Sequence, residues 1–307
     1  MWNFGLTSIF FVKSAIAILT YNRQPALQET LQGIRTHCRA YPLAVFEDCG
    51  LTDGTEALLL KGAGKVGFRK ELAADEYTGE CGSVFMGTRN LGVAGNSNRA
   101  IQWLMQQDAE HFCLLNDDLH VLGDFVKFYG QAHADLGVEL FCFTDFDGES
   151  YRTVPVRLRG YVVHVMPRFT GIMLSFTRRL IEKIGGFDTT FGLFGEEHSD
   201  FTIRARMRGG IQLNGRDQNC LDVQGVDAAG RPAPRLLRHQ EVATSLQGLR
   251  RQHADSEANR HMQRASRSYR TRDVYRPLSV FVPETAGGHA SADGIPVERL
   301  DGYHLVV

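Results

Sequence analysis

The sequence predicts an α/β fold in which a mostly parallel central sheet is flanked by helices. Short apolar segments typical of strands alternate with segments that have helical spacing, and a polar loop follows each of the first strands. With 307 residues the chain can form one large domain or two small ones. The net charge of -1 indicates no overall attraction to nucleic acid or to membranes.

Strands and helices alternate through the first half of the chain. In chain order we predict strand 14–22, helix 24–37, strand 41–50, helix 52–60, strand and turn 84–92, helix 96–107 and strand 111–118. The glycine-rich segment 61–83 has mixed charge and is predicted to be a long loop or an insertion. Because ligands of such sheets lie beyond the carboxyl ends of the strands, the loops that follow these strands are expected to form a site together.

The second half continues with strands and a helix and then changes character. We predict strands 138–146, 160–167 and 171–176, a helix at 178–187, and a further helix after the acidic segment that begins at residue 194. Residues 225–235 have the composition of a linker. We therefore predict a catalytic domain at 1–224, with halves 14–120 and 121–224, and a partly helical, basic extension at 225–307.

Cysteine usage and the N-terminal segment indicate the cellular setting. The six cysteines are widely spaced and form no C-x-x-C pair, so neither a zinc site nor a disulfide framework is predicted. Lys13 interrupts the apolar N-terminal segment, which is too short for a membrane span and lacks the features of a signal peptide. A cytoplasmic protein without a transmembrane segment is the expectation.

Acidic residues follow two of the predicted strands. Asp117 and Asp118 lie at the end of the predicted strand 111–118. Two carboxylates at a strand end suit a divalent cation such as Mg²⁺ or Mn²⁺. Asp48 reaches the same edge and could accept an N–H group of a nucleobase. The alternative for each of these acids is a turn or helix cap.

A third polar cluster, FGEEHSD, precedes an arginine-bearing helix. Glu197, His198 and Asp200 can each accept or donate a proton, which suits acid–base catalysis. Carboxylates in a first helical turn also favour the positive end of the helix dipole. The cluster is therefore either a catalytic centre or a capped helix start.

Five segments in this order resemble the motifs of the family 2 glycosyltransferases, which have the GT-A fold. The segments, which span about residues 14–210, are TYNR, EDCGLTDGT, NLGVAGNSNRAI, LLNDD and GGFDTTFGLFGEEHSDFTIRARMRGG. The resemblance implies a Rossmann-like nucleotide-diphospho-sugar transferase. It implies nucleotide binding by Thr20, Tyr21, Asn22, Asp48, Asn90, Gly92, Asn98 and Asp117.

The same resemblance implies a divalent cation, Mn²⁺ or Mg²⁺, that bridges the diphosphate of the donor. Asp118 matches the carboxylate that holds this cation, and His239 is a candidate for a further ligand. Two positions depart from the family pattern: Asn116 replaces the first Asp of the metal motif, and Cys49 replaces an Asp of the base-binding motif. The metal site would therefore have one carboxylate fewer than the motif provides.

The resemblance also assigns the acidic cluster. Residues 197–200 align with the family's E-D-x-D, so that His198 stands where inverting enzymes have the general base. A histidine is chemically capable of that role. Glu197 could instead be the base or could orient His198, while Asp200 would cap the helix or bind acceptor hydroxyls. Retaining polypeptide N-acetylgalactosaminyltransferases have a similar segment, but the upstream motifs favour inversion.

The predicted function is that of a metal-dependent hexosyltransferase that moves a sugar from a nucleoside diphosphate sugar, UDP-sugar above all, to an acceptor hydroxyl. The alternatives are transfer to a DNA base, a nucleotidyltransferase, and a noncatalytic protein that binds sugars or nucleic acid. Ten arginines and four acidic residues lie between Arg235 and Arg276, which could bind a phosphate-bearing acceptor such as DNA or an anionic lipid. A solvated helical face is the alternative for this segment.

Overall fold

A computed structural model describes residues 12–50, 52–144, 154–166, 171–191, 193 and 197–240 of the chain. In these residues the helices are α1 (Gln24–His37), α2 (Thr55–Leu60), α3 (Gly92–Leu104), α4 (Phe125–Leu136), α5 (Arg178–Ile184) and α6 (Glu197–Met207). The strands are β1 (Ser14–Thr20), β2 (Leu43–Glu47), β3 (Gly64–Arg69), β4 (Ala74–Gly79), β5 (Gly82–Gly87), β6 (His111–Asn116), β7 (Leu119–Val121), β8 (Leu140–Phe143), β9 (Val154–Leu158), β10 (Tyr161–Met166), β11 (Met173–Thr177), β12 (Gln212–Leu213), β13 (Arg216–Asp217), β14 (Cys220–Gly225) and β15 (Leu237–His239).

The central sheet has eight strands in the order β3-β4-β5-β2-β1-β6-β11-β8. The four middle strands are parallel, and only β4 and β11 of this sheet run against the others. Strands β1 and β6 are buried along almost their whole length because helices such as α3 and α4 pack against the sheet. The structure confirms the predicted α/β fold with a mostly parallel sheet.

The prediction of a loop at 61–83 was wrong. Strands β3, β4 and β5 form an antiparallel meander that extends the sheet to its edge. Ion pairs support this edge across the strands, with Lys65 Nζ 3.0 Å from Asp75 Oδ1 and Arg69 Nη1 2.9 Å from Glu76 Oε2. The mixed charge that indicated a loop is the charge of an exposed edge strand, which protects the edge from pairing with other chains.

Helix α4 and the strands β7, β9 and β12 to β15 were not predicted. Helix α4 begins after Asp124, which accepts a hydrogen bond from Lys127 N, and ends at Gly137 with φ 67°. A second sheet in the order β14-β10-β9 contains strand β9 in addition to the predicted strand β10. Tyr129 of α4 donates a hydrogen bond of 2.6 Å to Asp222 of β14, which connects the helix to the second sheet.

The beginning of the predicted C-terminal extension lies on the α/β domain. Arg235 Nη1 donates a hydrogen bond of 2.8 Å to Asp222 Oδ2, and β15 then pairs with β7 in antiparallel orientation. Most of the arginine-rich segment Arg235–Arg276 lies outside the described residues, because these end at residue 240. Every helix among the described residues is too short or too polar to span a lipid bilayer.

Two buried histidines share one hydroxyl group near the start of β6. His111 Nε2 and His133 Nε2 lie 2.8 Å and 2.9 Å from Ser175 Oγ, and His133 Nδ1 lies 2.6 Å from the carbonyl oxygen of Val138. Burial, with a smaller effect of His133, lowers the pKa of His111 well below its usual range. Burial also lowers the pKa of His133 to about 4. Both imidazoles are therefore neutral in the native protein at neutral pH.

We expect His133 to make the protein sensitive to acid. The unfolded chain binds a proton at His133 below a pH of about 6.5, whereas the native chain resists protonation down to about 4, so native stability falls as the pH falls through this interval. The pKa difference corresponds to a loss of about 3 kcal/mol in the free energy of unfolding. Urea unfolding at about pH 7 and about pH 4.5 should show a smaller pH dependence for His133→Asn than for the wild type.

The pH dependence of stability must be compared between the wild type and the His133→Asn variant, because other groups change the stability with the opposite sign. Burial raises the pKa of Asp48 and of Asp117, and a carboxyl group with a raised native pKa stabilises the native state as the pH falls. The exposed Thr36 provides the control, since Thr36→Asn introduces the same residue at a position without a titratable group and should leave the pH dependence unchanged. Equal pH dependence of the wild type and His133→Asn would contradict the prediction.

Candidate functional site

The loops that follow β1, β2, β5 and β6 meet at the carboxyl edge of the sheet, as the sequence predicts. Thr20 Oγ1 donates a hydrogen bond of 2.7 Å to Asp117 Oδ2, and Asp48 N donates one of 3.2 Å to the carbonyl oxygen of Thr20. Leu91 N donates a hydrogen bond of 3.0 Å to Asp48 Oδ1. A continuous series of hydrogen bonds therefore joins the predicted nucleotide-binding loops to the acidic pair.

Arg23 bridges the two carboxylates of the acidic pair. Its Nη1 atom lies 2.6 Å from Asp118 Oδ2 and 3.1 Å from Asp117 Oδ1. Burial raises the pKa of Asp117 to about 6, although Arg23 and the hydrogen bond from Thr20 act in the opposite direction. The sequence prediction did not include Arg23, which occupies the last position of the TYNR segment.

One carboxylate oxygen of Asp118, Oδ2, has partners, and the other, Oδ1, has none among the described residues. His239 Nε2 lies 3.3 Å from Oδ2, the oxygen that also accepts from Arg23, and Gln240 N donates to the carbonyl oxygen of Asp118 at 2.8 Å. Burial raises the pKa of Asp118, but the contacts with His239 and Arg23 outweigh burial, so that the pKa is lowered overall. Buried Oδ1 has no hydrogen-bond partner among the described residues.

These groups fit a divalent cation that takes part of its coordination from a ligand. A buried carboxylate oxygen without a partner is costly unless a bound group satisfies it. Carboxylate and imidazole are both suitable ligands for Mn²⁺, and Mg²⁺ is commonly held by one or two carboxylates together with phosphates and water. The described part of the chain contains no cluster of three or more metal-ligating side chains, so Asp118 and His239 are the two candidates that it offers.

The loop after β2 is held by two residues that the sequence prediction missed. Glu47 accepts hydrogen bonds of 2.6 Å from Cys49 N and Gly50 N, with Cys49 at φ 63°. Arg99 is 1 % exposed and donates a hydrogen bond of 2.8 Å to Asp48 Oδ1. Glu47 could have been found from the sequence because it is an acid directly before a turn. No local pattern marks Arg99 as a buried arginine of a helix.

The other predicted nucleotide-binding residues differ in their surroundings. Tyr21 is 42 % exposed beside the buried Thr20. Asn22 accepts a hydrogen bond of 2.9 Å from Thr52 N. By contrast, each end of the Asn98 amide bonds the backbone of Phe187, at 2.7 Å and 2.9 Å, so Asn98 makes a structural contact in this molecule. Its role in nucleotide binding stays a prediction.

The start of α3 packs closely against the segment that leads to the acidic cluster. Asn90 accepts a hydrogen bond of 2.8 Å from Gly92 N, and Val93 N donates one of 2.7 Å to the carbonyl oxygen of Leu193. Gly92 has φ 72°, and a β-carbon at this position would lie 2.4 Å from the Leu193 backbone. Glycine is therefore required there for both conformation and space.

His198 lies against Gly171, the residue before Ile172, which bonds the end of β6. A β-carbon on Gly171 would lie 2.7 Å from Cε1 and Nε2 of His198, so only glycine leaves room for the ring. The next residue, Ile172, accepts a hydrogen bond of 3.0 Å from Asn116 N at the end of β6. The ring of Phe187 contacts His198 edge-on, with centroids 5.3 Å apart. The structure therefore brings His198 to the same edge as the motif at Asp117 and Asp118.

Glu197 and Asp200 have different surroundings. Glu197 Oε1 lies 3.1 Å from His198 Nδ1, while buried Oε2 has no hydrogen-bond partner within the described residues. Asp200 is fully buried and accepts a hydrogen bond of 2.8 Å from Arg204 Nε, one turn later on α6. Arg204 in turn donates to the carbonyl oxygen of Ile184 at 2.7 Å. Asp200 thus connects α6 to the end of α5 and does not share the accessible position of His198.

Comparisons with known proteins give matches among solved structures only: no family model matches the sequence, and no curated protein does. A mannosyltransferase, PcManGT from Pyrobaculum calidifontis in complex with GDP-Man and Mn²⁺, is similar at 17% identity over 66% of this chain and 54% of that chain, with a TM-score of 0.47. S. aureus TarS 1-349 is similar at 16% identity over 63% of this chain and 55% of that chain, with a TM-score of 0.44.

A further match is S. aureus TarS 1-349 in complex with UDP-GlcNAc, at 15% identity over 63% of this chain and 53% of that chain, with a TM-score of 0.42. The chain thus spans about half the length of the chains it matches in these structures. At such identities the roles of individual residues depend on the contacts described above.

Proposed function

We propose that the protein is a glycosyltransferase that uses a nucleoside diphosphate sugar. The observation that carries the proposal is the open oxygen of Asp118, which lies where the four loops after the parallel strands converge. A buried carboxylate that is fixed on one oxygen and open on the other suits a cation that bridges protein and diphosphate. The order of the five sequence motifs supports the same function.

The donor would lie along the carboxyl edge of the sheet. The exposed ring of Tyr21 provides a surface for the nucleobase, and Asp48 offers Oδ2 to a base N–H because Oδ1 is used by Leu91 and Arg99. Asp118 and His239 would hold Mn²⁺ or Mg²⁺ at the diphosphate. When bound, this cation would stabilise the negative charge of the leaving nucleoside diphosphate.

His198 is the general base of the proposed reaction, and Glu197 orients it. Glu197 Oε1 lies 3.1 Å from His198 Nδ1, and we assign to Nε2 of the same ring the removal of the proton from the acceptor hydroxyl. The acceptor oxygen then forms a bond to the anomeric carbon, while the bond from that carbon to the diphosphate oxygen breaks. Because the acceptor oxygen displaces the diphosphate directly in this step, the expected stereochemical outcome is inversion. Asp200 is excluded from this step because it is fully buried and bonded to Arg204.

A donor screen tests the proposed function. The protein would be incubated with UDP-GlcNAc, UDP-glucose or GDP-mannose in the presence of Mn²⁺, with thermal shift as the measure of binding and release of nucleoside diphosphate as the measure of turnover. We expect one donor to raise the melting temperature and to be slowly hydrolysed, because water can replace the acceptor. Absence of both effects for every nucleotide sugar would contradict the proposal. Products with hydroxyl-bearing, DNA and anionic lipid acceptors would then distinguish the acceptor class.

A further inference from the structure

The positively charged guanidinium of Arg23 lies on the acidic pair, Asp117 and Asp118. Arg23 precedes helix α1, and its side chain is only 15% exposed. One nitrogen, Nη1, contacts Asp118 Oδ2 at 2.6 Å and Asp117 Oδ1 at 3.1 Å. Thr20 Oγ1 uses the other oxygen of Asp117 at 2.7 Å. Three of the four oxygens of the pair therefore have partners, and Asp118 Oδ1 has none among the described residues.

This arrangement determines which oxygen is available. The bonds from Arg23 and Thr20 fix both carboxylates, and a fixed ligand loses less conformational entropy when it binds. The positive charge of Arg23 also offsets part of the negative charge of the pair, which weakens the attraction of the pair for a divalent cation. The guanidinium of an arginine keeps its positive charge in proteins.

The rest of the guanidinium remains available to an anion. All side-chain hydrogen bonds that Arg23 makes with the described residues use Nη1. The other donors, on Nε and Nη2, form the planar edge with which arginine binds phosphate oxygens in pairs. The acidic pair thus anchors one side of the guanidinium and leaves its opposite edge for a ligand.

We propose that Arg23 is a diphosphate-binding residue, which Asp117 and Asp118 hold in place, and that it shares the charge of the donor diphosphate with the cation at Asp118 Oδ1. The inference rests on the proposed function for the identity of the donor. It explains how a motif with Asn116 in place of a carboxylate can still bind a diphosphate. Part of the positive charge that faces the diphosphate comes from Arg23 and not from the cation.

Two titrations without any sugar donor test the inference. In the first, Mn²⁺ binds to the protein alone, and free Mn²⁺ is measured by electron paramagnetic resonance. We expect Arg23→Gln to bind Mn²⁺ at least about fivefold more tightly than the wild type, because one positive charge has been removed from the acidic pair. In the second, inorganic pyrophosphate binds in the presence of EDTA at low salt, and Arg23→Gln should bind it at least about tenfold more weakly.

Arg23→Lys separates charge from geometry. The lysine keeps the positive charge at the acidic pair, so Mn²⁺ binding should stay near the wild-type value, while pyrophosphate binding should weaken because the fork of donors is lost. Arg35→Gln removes a charge from the exposed side of the same helix and should change neither titration. Circular dichroism melting of each variant checks that it is folded.

The inference is overturned if Arg23→Gln binds Mn²⁺ no more tightly than the wild type, or if the wild type binds no pyrophosphate without metal. If the two titrations give the expected results but no donor has an effect in the donor screen, only the proposed sugar transfer is contradicted. The two proposals can therefore fail separately.

Discussion

Asp118→Asn should abolish the proposed sugar transfer while leaving the fold intact. Asparagine keeps an oxygen for Arg23 but removes the negative charge from Asp118, whose buried Oδ1 has no hydrogen-bond partner among the described residues. Because a bound cation contributes several kcal/mol to stabilisation of the leaving group, kcat/KM should fall by at least about 10³-fold. Binding of Mn²⁺ should be lost in the same variant.

The control is an aspartate outside the site. Asp108 is exposed and pairs with Lys13, and Asp108→Asn should keep wild-type activity and metal binding. Measurement of initial rates over a range of Mn²⁺ concentrations distinguishes weak metal binding from loss of function. Wild-type turnover by Asp118→Asn at limiting Mn²⁺ would remove Asp118 from the metal site.

His198→Gln should lower kcat by about 10²- to 10⁴-fold with little change in donor binding, since the proposed base acts on the acceptor and not on the nucleotide. Glutamine retains a polar side chain of similar reach but cannot take a proton at neutral pH. Rates should be measured with donor and acceptor both saturating, and donor binding by thermal shift. A rate within about threefold of the wild type would show that another group is the base.

Glu197→Gln distinguishes orientation from catalysis. If Glu197 only orients His198, the amide still accepts the Nδ1–H hydrogen bond, so the loss of rate should be smaller than for His198→Gln. If Glu197 were the base, Glu197→Gln would be the more damaging change. His37→Gln, on the exposed surface of α1, is the control for both variants.

The convergence of the loops was predictable because it follows from strand direction. Thr20, Asp48 and Asp117 each come at the end of a buried apolar segment, and parallel strands bring such ends to one edge. Local patterns of this kind need no knowledge of distant contacts. The same patterns predicted β1, β2, β6 and the helices α1 and α3 correctly.

The remaining features depend on pairings between residues that are distant in the sequence. The ion pair of Arg99 with Asp48 joins positions 51 residues apart, and nothing near Arg99 marks it as buried. Arg23 likewise pairs with acids more than ninety residues later. The meander at 61–83 was missed because a charged edge strand and a polar loop have similar compositions. Asn98 matches a motif, but the motif does not indicate that its partner is the backbone of Phe187.

The pairing of β15 with β7 has a consequence for how the protein reaches its active form. It brings His239 to Asp118 and Gln240 to Leu119, with a separation of 121 residues along the chain for the second pair. Closing such a long loop costs entropy before its contacts form, and contacts of this range slow folding. During synthesis the acidic pair therefore leaves the ribosome long before its histidine. The proposed donor site should be the last part of the sheet edge to form.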